Sequence, residues 1–436
     1  MVEMAVLGLF VAALFVCLGL GASILWALAA GFFLFFGYGL YRGHSVRAMW
    51  AMAWSGVRKV RVILISFVLI GMITASWRSA GTIAYIVSYA TRVCSPGWMV
   101  LLTFVLCAAV STLTGTAFGT SATVGVICAT MANSMGIPIL YTGGAVLAGV
   151  MVGDRCSPMS TSALLISSLT ETDLFHNLKA MFKTAIVPLI LSCGLFALLG
   201  RDFHGDYNAG QMERLFRTAF QLHPAVLIPA AVIIVFSLFR VDLKITMAVS
   251  VLCGSVVSVW LQGIPVGELL HLLVFGYQPA DPQVAALLSG GGIVSMVKVI
   301  CIVCISSSFS GMFQGTGLLD GIQGAIGRLG AKITPFGGIL VTASVASVVA
   351  CNQSLAIMMT QQLCSKLEPD PKRMMISLEN TAVVTAALVP WSIAAAVPLN
   401  AVGAPGASVG LACYLYILPL WTWVAEIWNA KKAKAH

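Results

Sequence analysis

Apolar runs of about twenty residues follow one another along almost the whole chain, and the charged residues fall mainly between them. A run of that length is what an α-helix needs to cross the ~30 Å hydrocarbon core of a bilayer. Of the 436 residues, 59% are hydrophobic and 9% charged, where a soluble chain carries about 25% charged. So few charges cannot solvate a body of this size. Soluble globular, disordered and collagen-like folds are excluded, and the solvent is a lipid bilayer. The net charge of +9 would point to nucleic acid in a soluble chain. In a membrane protein it reflects basic residues gathered in cytoplasmic loops, and no nucleic-acid partner is implied.

No metal or cofactor is expected. Most of the twelve cysteines lie inside apolar runs, as Cys17, Cys107, Cys128, Cys193 and Cys253 do, where cysteine behaves as a small hydrophobe. Cys301 and Cys304 form a C-x-x-C with no second pair, and the six histidines show no ligand spacing.

Single spans are predicted near 4–20, 22–40, 62–80, 138–158, 184–200, 223–240, 245–262, 298–318, 374–398 and 405–428. Two further apolar segments, 97–135 and 333–365, are interrupted by small polar residues. Each is a re-entrant helix pair or two full spans, with both ends on one face. Arg42, Arg47, Arg58, Lys59 and Arg61 place the loop after the second span in the cytoplasm. Counting onward puts Lys179 and Lys183, Arg240 and Lys244, Arg328 and Lys332, and Lys366, Lys372 and Arg373 on the same face. The tail with Lys431, Lys432 and Lys434 joins them, so both termini are expected inside. One loop, 201–222, runs against the rule but offsets Arg201, Arg214 and Arg217 with Asp202, Asp206 and Glu213. The N-terminal run lacks a basic leader and a small-residue cleavage site, and reads as a span rather than a signal peptide.

Sliding the second half of the chain over the first aligns Ser76–Ile83 with Met312–Leu319 and, in the same register, Thr114–Ala117 with Ala350–Gln353. With a small slip, Ser157-Pro158-Met159-Ser160 meets Val389-Pro390-Trp391-Ser392. Equivalent loops carry opposite charge character. Residues 42–61 hold five Lys or Arg, and 278–297 none; 366–373 hold three, and 130–137 none. Equivalent loops on opposite faces define an inverted repeat, the architecture of many secondary transporters. The expected fold is an all-α polytopic membrane protein, an inverted-repeat secondary transporter with broken or re-entrant helices. Its parts would be an N-terminal hairpin and cytoplasmic loop (1–61), a first repeat (62–200), connecting and scaffold helices (201–297), and a second, inverted repeat with the tail (298–436). A channel is the reading of a different class.

Such transporters bind solute and ions near the midplane, where helices are interrupted. The first interruption, 111–123, holds five Thr and two Ser together with Gly115 and Gly119. Its glycines let the chain turn, and hydroxyls such as Thr114, Thr116 and Thr120 can coordinate Na⁺ or donate to a carboxylate; the alternative is a small-residue packing face. The partner interruption offers Asn352, Gln353 and Ser354, whose amides both donate and accept, unless they form a structural pair. Ser157, Ser160 and Ser392 extend the set. Charges within spans are costly and usually functional or paired. Asp154 and Arg155 adjoin a proline-broken turn, or else lie at the cytoplasmic interface with Arg155 snorkelling. Glu379, beside Asn380, is the first candidate for a protonatable group, because burial disfavours a charged carboxyl; a salt bridge to Lys372 is the alternative. Lys298 and Arg78 are basic residues in apolar context. Arg78 could hold a carboxylate bidentately or snorkel to the outer interface. Thr172-Asp173-Leu174-Phe175 reads as a capped helix start.

Over residues 60–400 the motifs resemble those of the NhaC family of Na⁺/H⁺ antiporters. Gly115-Thr116-Ala117-Phe118-Gly119-Thr120 resembles that family's G-T-S-W-G-T. Gly153-Asp154-Arg155-Cys156-Ser157-Pro158-Met159-Ser160 resembles its G-D-K-x-S-P-L-S, followed by Thr172–Phe175 for T-D-L-F. Ser344 to Gln353 resembles the T-A-S-N-Q region, and Leu378-Glu379-Asn380 through Pro390-Trp391-Ser392 resembles L-E-D…P-W-N. The resemblance implies a bacterial inner-membrane homodimer that moves a small molecule or ion by alternating access, with Na⁺ or H⁺ as coupling ion. Asp154 or Glu379 would handle that ion. This chain departs at Thr161 and Asn380, where the family has carboxylates, at Ser392, and at Arg78 in an ordinarily apolar position. Fewer negative groups and one more positive suit an anion or zwitterion better than a bare cation. Two substrate readings stay open: Na⁺- or H⁺-coupled movement of a small carboxylate or amino acid, and simple Na⁺/H⁺ antiport.

Overall fold

The computed structural model describes residues 2–20, 22–90, 94–203, 209–239, 241–318 and 334–435; Arg240, Arg328 and Lys332 lie outside them. Helices make up nearly all of its regular structure. The only strand-like pairing among the described residues is an isolated bridge between Tyr277 and Gly290. Among the described residues, five helices are each long and apolar enough to cross a membrane, or eight if three sharply bent pairs count as one span apiece. The expected ten single spans thus give way to a mixture of straight, bent and broken elements.

The chain opens with a hairpin of α1 (Val2–Gly19) and α2 (Ile24–Tyr41). Lipid tails are as apolar as these side chains, so close packing rather than exclusion from water holds such helices in place. Phe10 and Phe35 meet edge-to-face at 5.1 Å, and both pack edge-on against Phe309. The segment expected as a cytoplasmic loop, 42–61, is largely α3 (Val46–Lys59), whose N-terminus is capped by the Ser45 hydroxyl.

Next come α4 (Arg61–Ser79) and α5 (Thr82–Ala90), bent by 63° at Ala80-Gly81. Helix α6 (Pro96–Thr114) ends at Gly115, and the chain returns as α7 (Ala117–Thr120), a π turn (Ser121–Gly125) and α8 (Val126–Ser134), packed back against α6. Then follow α9 (Ile139–Cys156), α10 (Thr161–Leu169) and α11 (Leu174–Gly200). The expected start at Thr172–Phe175 and the expected span at 184–200 are one helix, α11, capped by Asp173 on the His176 N–H.

The connecting region is more helical than a hydropathy window shows. The charged loop contains α12 (Ala209–Ala219), where Arg217 pairs with Glu213 at 2.8 Å. After α13 (Ile228–Leu238) and α14 (Leu243–Trp260) come the short α15 (Val266–Phe275) and α16 (Pro282–Leu288).

The second half repeats the first. Helix α17 (Gly292–Thr316) ends at a left-handed Gly317. Helix α18 (Pro335–Ala350) ends at Cys351 and folds back as α19 (Gln353–Cys364). At ~1.5 Å per residue these two legs are about 24 and 18 Å long, each shorter than the ~30 Å bilayer core. The span expected at 374–398 is not continuous. It runs as α20 (Pro371–Asn380), α21 (Ala382–Thr385) and a 3-10 turn, then breaks at Val389-Pro390-Trp391-Ser392 with a 55° bend into α22 (Ile393–Ala401). Pro390 lacks the N–H a continuing helix would need. The last helix is α23 (Tyr414–Ala435).

Candidate functional site

Both broken hairpins turn in the same way. Gly115 has φ 70° and Cys351 φ 54°, each the left-handed residue that ends a helix. The next residues, Thr116 and Asn352, are extended with nearly equal dihedrals (φ −138°, ψ 119° and φ −144°, ψ 127°). Each caps the returning helix: the Thr116 hydroxyl accepts from the Gly119 N–H, and the Asn352 side-chain oxygen from the Ser354 N–H. These are the same positions that the internal register pairs.

The proline turns match as well. Ser160 caps α10 on the Ser162 and Ala163 N–H groups, and Ser392 caps α22 on the Ala394 N–H. Within each half the two interruptions touch. A β-carbon on Gly115 would lie 2.5 Å from the Met159 β-carbon, so this left-handed turn admits no side chain. In the second half the Ile393 N–H donates to the Cys351 carbonyl at 3.0 Å.

These four interruptions surround a cavity of about 500 Å³, within the usual range for a small-molecule site. Thr114, Gly115 and Thr116 line it from the first hairpin and Asn352, Gln353 and Ser354 from the second; Thr161 and Ile393 begin the helices after the proline turns. The N-termini of four helical runs therefore converge, each with backbone N–H groups that no helical carbonyl satisfies and the positive end of its peptide dipoles.

Asp154 supplies the charge. It sits one turn from the end of α9, is 7% exposed and lines the cavity. Its Oδ2 accepts from Gln353 Nε2 at 2.9 Å and from the Ser162 hydroxyl at 3.3 Å. The Gln353 contact crosses from one half of the chain to the other. Helix α9 can bring Asp154 here because Gly153 lies against α6: a β-carbon there would stand 2.0 Å from the Ser111 carbonyl carbon.

Behind the cavity lies a second buried polar group. Arg155 is fully buried, which removes the interfacial snorkelling alternative. Its guanidinium donates to the Met181 carbonyl (3.1 Å), the Thr184 hydroxyl (2.7 Å) and the Asn380 side-chain oxygen. Asn380 donates in turn to the Thr422 hydroxyl at 3.0 Å. Glu379 is fully buried and neither of its oxygens has a hydrogen-bond partner among the described residues, while Lys372 is exposed, so the salt-bridge alternative is not formed.

The remaining expected residues fall elsewhere. Gly119 lines a small pocket adjoining the main cavity, and Thr120 binds the Thr114 hydroxyl and the Thr116 carbonyl beneath the tip. Ser157, Ser160 and Ser392 are fully buried turn and cap residues outside the cavity lining. Arg78 does not line the cavity either; it donates to the Ser289 carbonyl. Ser66, which does line it, lies twelve residues earlier on α4, about 18 Å along the axis. Lys298 is exposed on α17. Three polar lining residues escaped the sequence reading: Ser66, Thr246 and Asp242, the N-cap of α14. Asp242 stands between the basic residues Arg240 and Lys244, which sequence reading used only to assign sidedness.

Broken helices paired across two halves, with polar tips around one cavity, are the build of a secondary transporter. The comparisons with known proteins agree. The sequence profile of the Na⁺/H⁺ antiporter family matches residues 1–173 and 149–421. The chain belongs to that family and is a multi-pass secondary transporter of the NhaC type. Among its relatives, the malate-2H⁺/Na⁺-lactate antiporter of Bacillus subtilis is 25% identical over 402 residues, covering 89% of this chain and 85% of the relative. The arginine/ornithine antiporter ArcD of Halobacterium salinarum is 28% identical over 422 residues, covering 91% and 84%. The Na⁺/H⁺ antiporter NhaC of Bacillus subtilis is 25% identical over 404 residues, covering 86% and 88%. Among solved structures, the YdaH transporter of Alcanivorax borkumensis covers 89% of both chains at 13% identity, with a TM-score of 0.41.

Proposed function

We propose that this transporter exchanges a small carboxylate or amino acid against Na⁺ or H⁺ by alternating access, with the cavity as its solute site. The observation that carries this reading is the convergence of both hairpin tips, two further helix starts and Asp154 on one cavity of about 500 Å³. A bare ion needs no such volume. Helix N-termini, the Thr114 and Thr116 hydroxyls and the Asn352 amide suit an anionic group, and Asp154 suits a cation. Thr161, which lines the cavity, stands where the family pattern carries a carboxylate, leaving the site less acidic than that pattern. Asp154 and the buried Glu379 are the groups we assign to the coupling ion. Two relatives whose names specify organic solutes support the reading.

Asp242 and Ser354 line the cavity and are exposed, and Asp242 adjoins Lys244 in a loop expected on the cytoplasmic face, so we assign this conformation as inward-facing with both termini inside. Residues 62–200 and 298–436 form the moving repeats, 201–297 the scaffold between them and 1–61 the N-terminal hairpin; two copies associate in the bacterial inner membrane. Simple Na⁺/H⁺ antiport is the second reading, favoured by the NhaC relative.

Reconstitution into liposomes under an imposed Na⁺ or pH gradient separates the two. Solute exchange predicts saturable, gradient-driven uptake of labelled malate or amino acid, with counter-flow. Na⁺-driven proton movement at full rate without organic solute, and no uptake with it, defeats the solute reading. Conductance without saturation or counter-flow would instead mark a channel.

A further inference from the structure

Two carboxylates line the cavity, and they enter from different parts of the fold. Asp154 comes from the end of α9 in the first half, and Asp242 from the start of α14 in the connecting helices. No Lys, Arg or His is among the described lining residues. Each carboxylate commits one oxygen to holding the protein together. Asp154 Oδ2 accepts from Gln353 and Ser162, and Asp242 Oδ1 accepts the Lys244 N–H at 2.9 Å, capping α14. The other oxygen of each accepts no hydrogen bond among the described residues. Asp154 as a residue is nine-tenths buried and lines the cavity, so its unclaimed oxygen is accessible only from the cavity side.

We infer that Asp154 and Asp242 make the cavity a site for solutes bearing two cationic groups and a carboxylate, that is, basic amino acids, with Asp242 setting the preference for the charged side chain. This rests on the solute-exchange reading and sharpens it to a substrate class. The solute's carboxylate takes the helix N-termini and the hydroxyls of Thr114 and Thr116. Its two cationic ends take the two carboxylates. The coupling ion and the solute's ammonium then compete for Asp154, so they cannot ride together. Mutually exclusive occupancy of one group is what exchange in opposite directions requires.

The test uses the full chain in proteoliposomes with three labelled probes: arginine, its neutral isostere citrulline, and malate. Asp242→Asn is informative because asparagine caps a helix about as well as aspartate, so the charge is removed and the cap kept; Asp242→Ser does the same if the first variant folds poorly. The wild type is expected to take up arginine with a KM about tenfold below that for citrulline, the size of one charge-assisted hydrogen bond. Asp242→Asn should erase that preference and shift the arginine-to-malate ratio of kcat/KM at least tenfold toward malate. A wild type that transports malate but not arginine overturns the inference and leaves solute exchange standing. So does an Asp242→Asn variant that slows all three probes alike or leaves the arginine-to-citrulline ratio in place. A wild type that moves only Na⁺ and protons overturns both.

Discussion

The Gln353 amide joins the two halves of the molecule. Its Nε2 donates to Asp154 in the first half and to the Val383 carbonyl in its own, so anything that claims Asp154 pulls on the second hairpin as well. The neighbouring Asn352 is the better residue to test. It faces the cavity, and its cap on Ser354 is worth about 1 kcal/mol, too little to unfold a membrane bundle. Asn352→Ala should abolish uptake in proteoliposomes while the detergent-solubilised protein stays monodisperse; unimpaired uptake would remove the second hairpin from the solute path. At this scale the sequence was a partial guide. Asp154, Thr114, Thr116 and Asn352 were legible as cavity-lining residues because polar residues inside apolar runs are expensive. Arg78 satisfied the same rule and does different work, tying α4 to the Ser289 carbonyl, because no local pattern shows where along a helix a cavity opens. Asp242 was missed for the opposite reason: at a helix start, between two basic residues, an acidic side chain looks like ordinary capping.

Among the elements, the two hairpin turns share a backbone but differ in the residue that makes it. Gly115 occupies the left-handed conformation without cost, whereas Cys351 pays about 1–2 kcal/mol to adopt it. Two substitutions should therefore behave unequally. Gly115→Ala forces a β-carbon against Met159 and should lower the thermal midpoint and block transport. Cys351→Gly relieves the backbone and should leave the midpoint equal or higher. A midpoint for Gly115→Ala matching the wild type would show that Met159 yields and that the turn is not sterically fixed. The breaks themselves were readable, since Gly, Pro and hydroxyl clusters interrupt otherwise apolar runs. The short helices α3, α12, α15 and α16 were not. A hydropathy window as long as a membrane span averages so short a helix with its flanks and returns a loop. The bend in 374–398 was hidden in the same way, although the matching Ser-Pro turn of the first half pointed to it.

At the scale of the whole molecule, the inward-facing reading makes a statement about access. Ser354 is exposed and lines the cavity. In oriented vesicles Ser354→Cys should react with a membrane-impermeant thiol reagent from the cytoplasmic side, read against the wild-type background, and saturating solute should protect it. Labelling only from the outer side would reverse the assigned orientation. The matching turns of the two halves were visible in the sequence register, and loop charge adds the expectation that equivalent loops lie on opposite faces, since lysine and arginine record sidedness even after side-chain identity has drifted.

The four helix starts around the cavity carry one further consequence. Their contribution to the local field comes from peptide groups, which no side-chain substitution deletes. On the proposed reading, every side-chain variant of this transporter keeps the same preference for a negative group at the cavity. What its sequence would still adjust, on that reading, is which positive companion the group must bring, through lining side chains such as Asp154, Thr161 and Asp242.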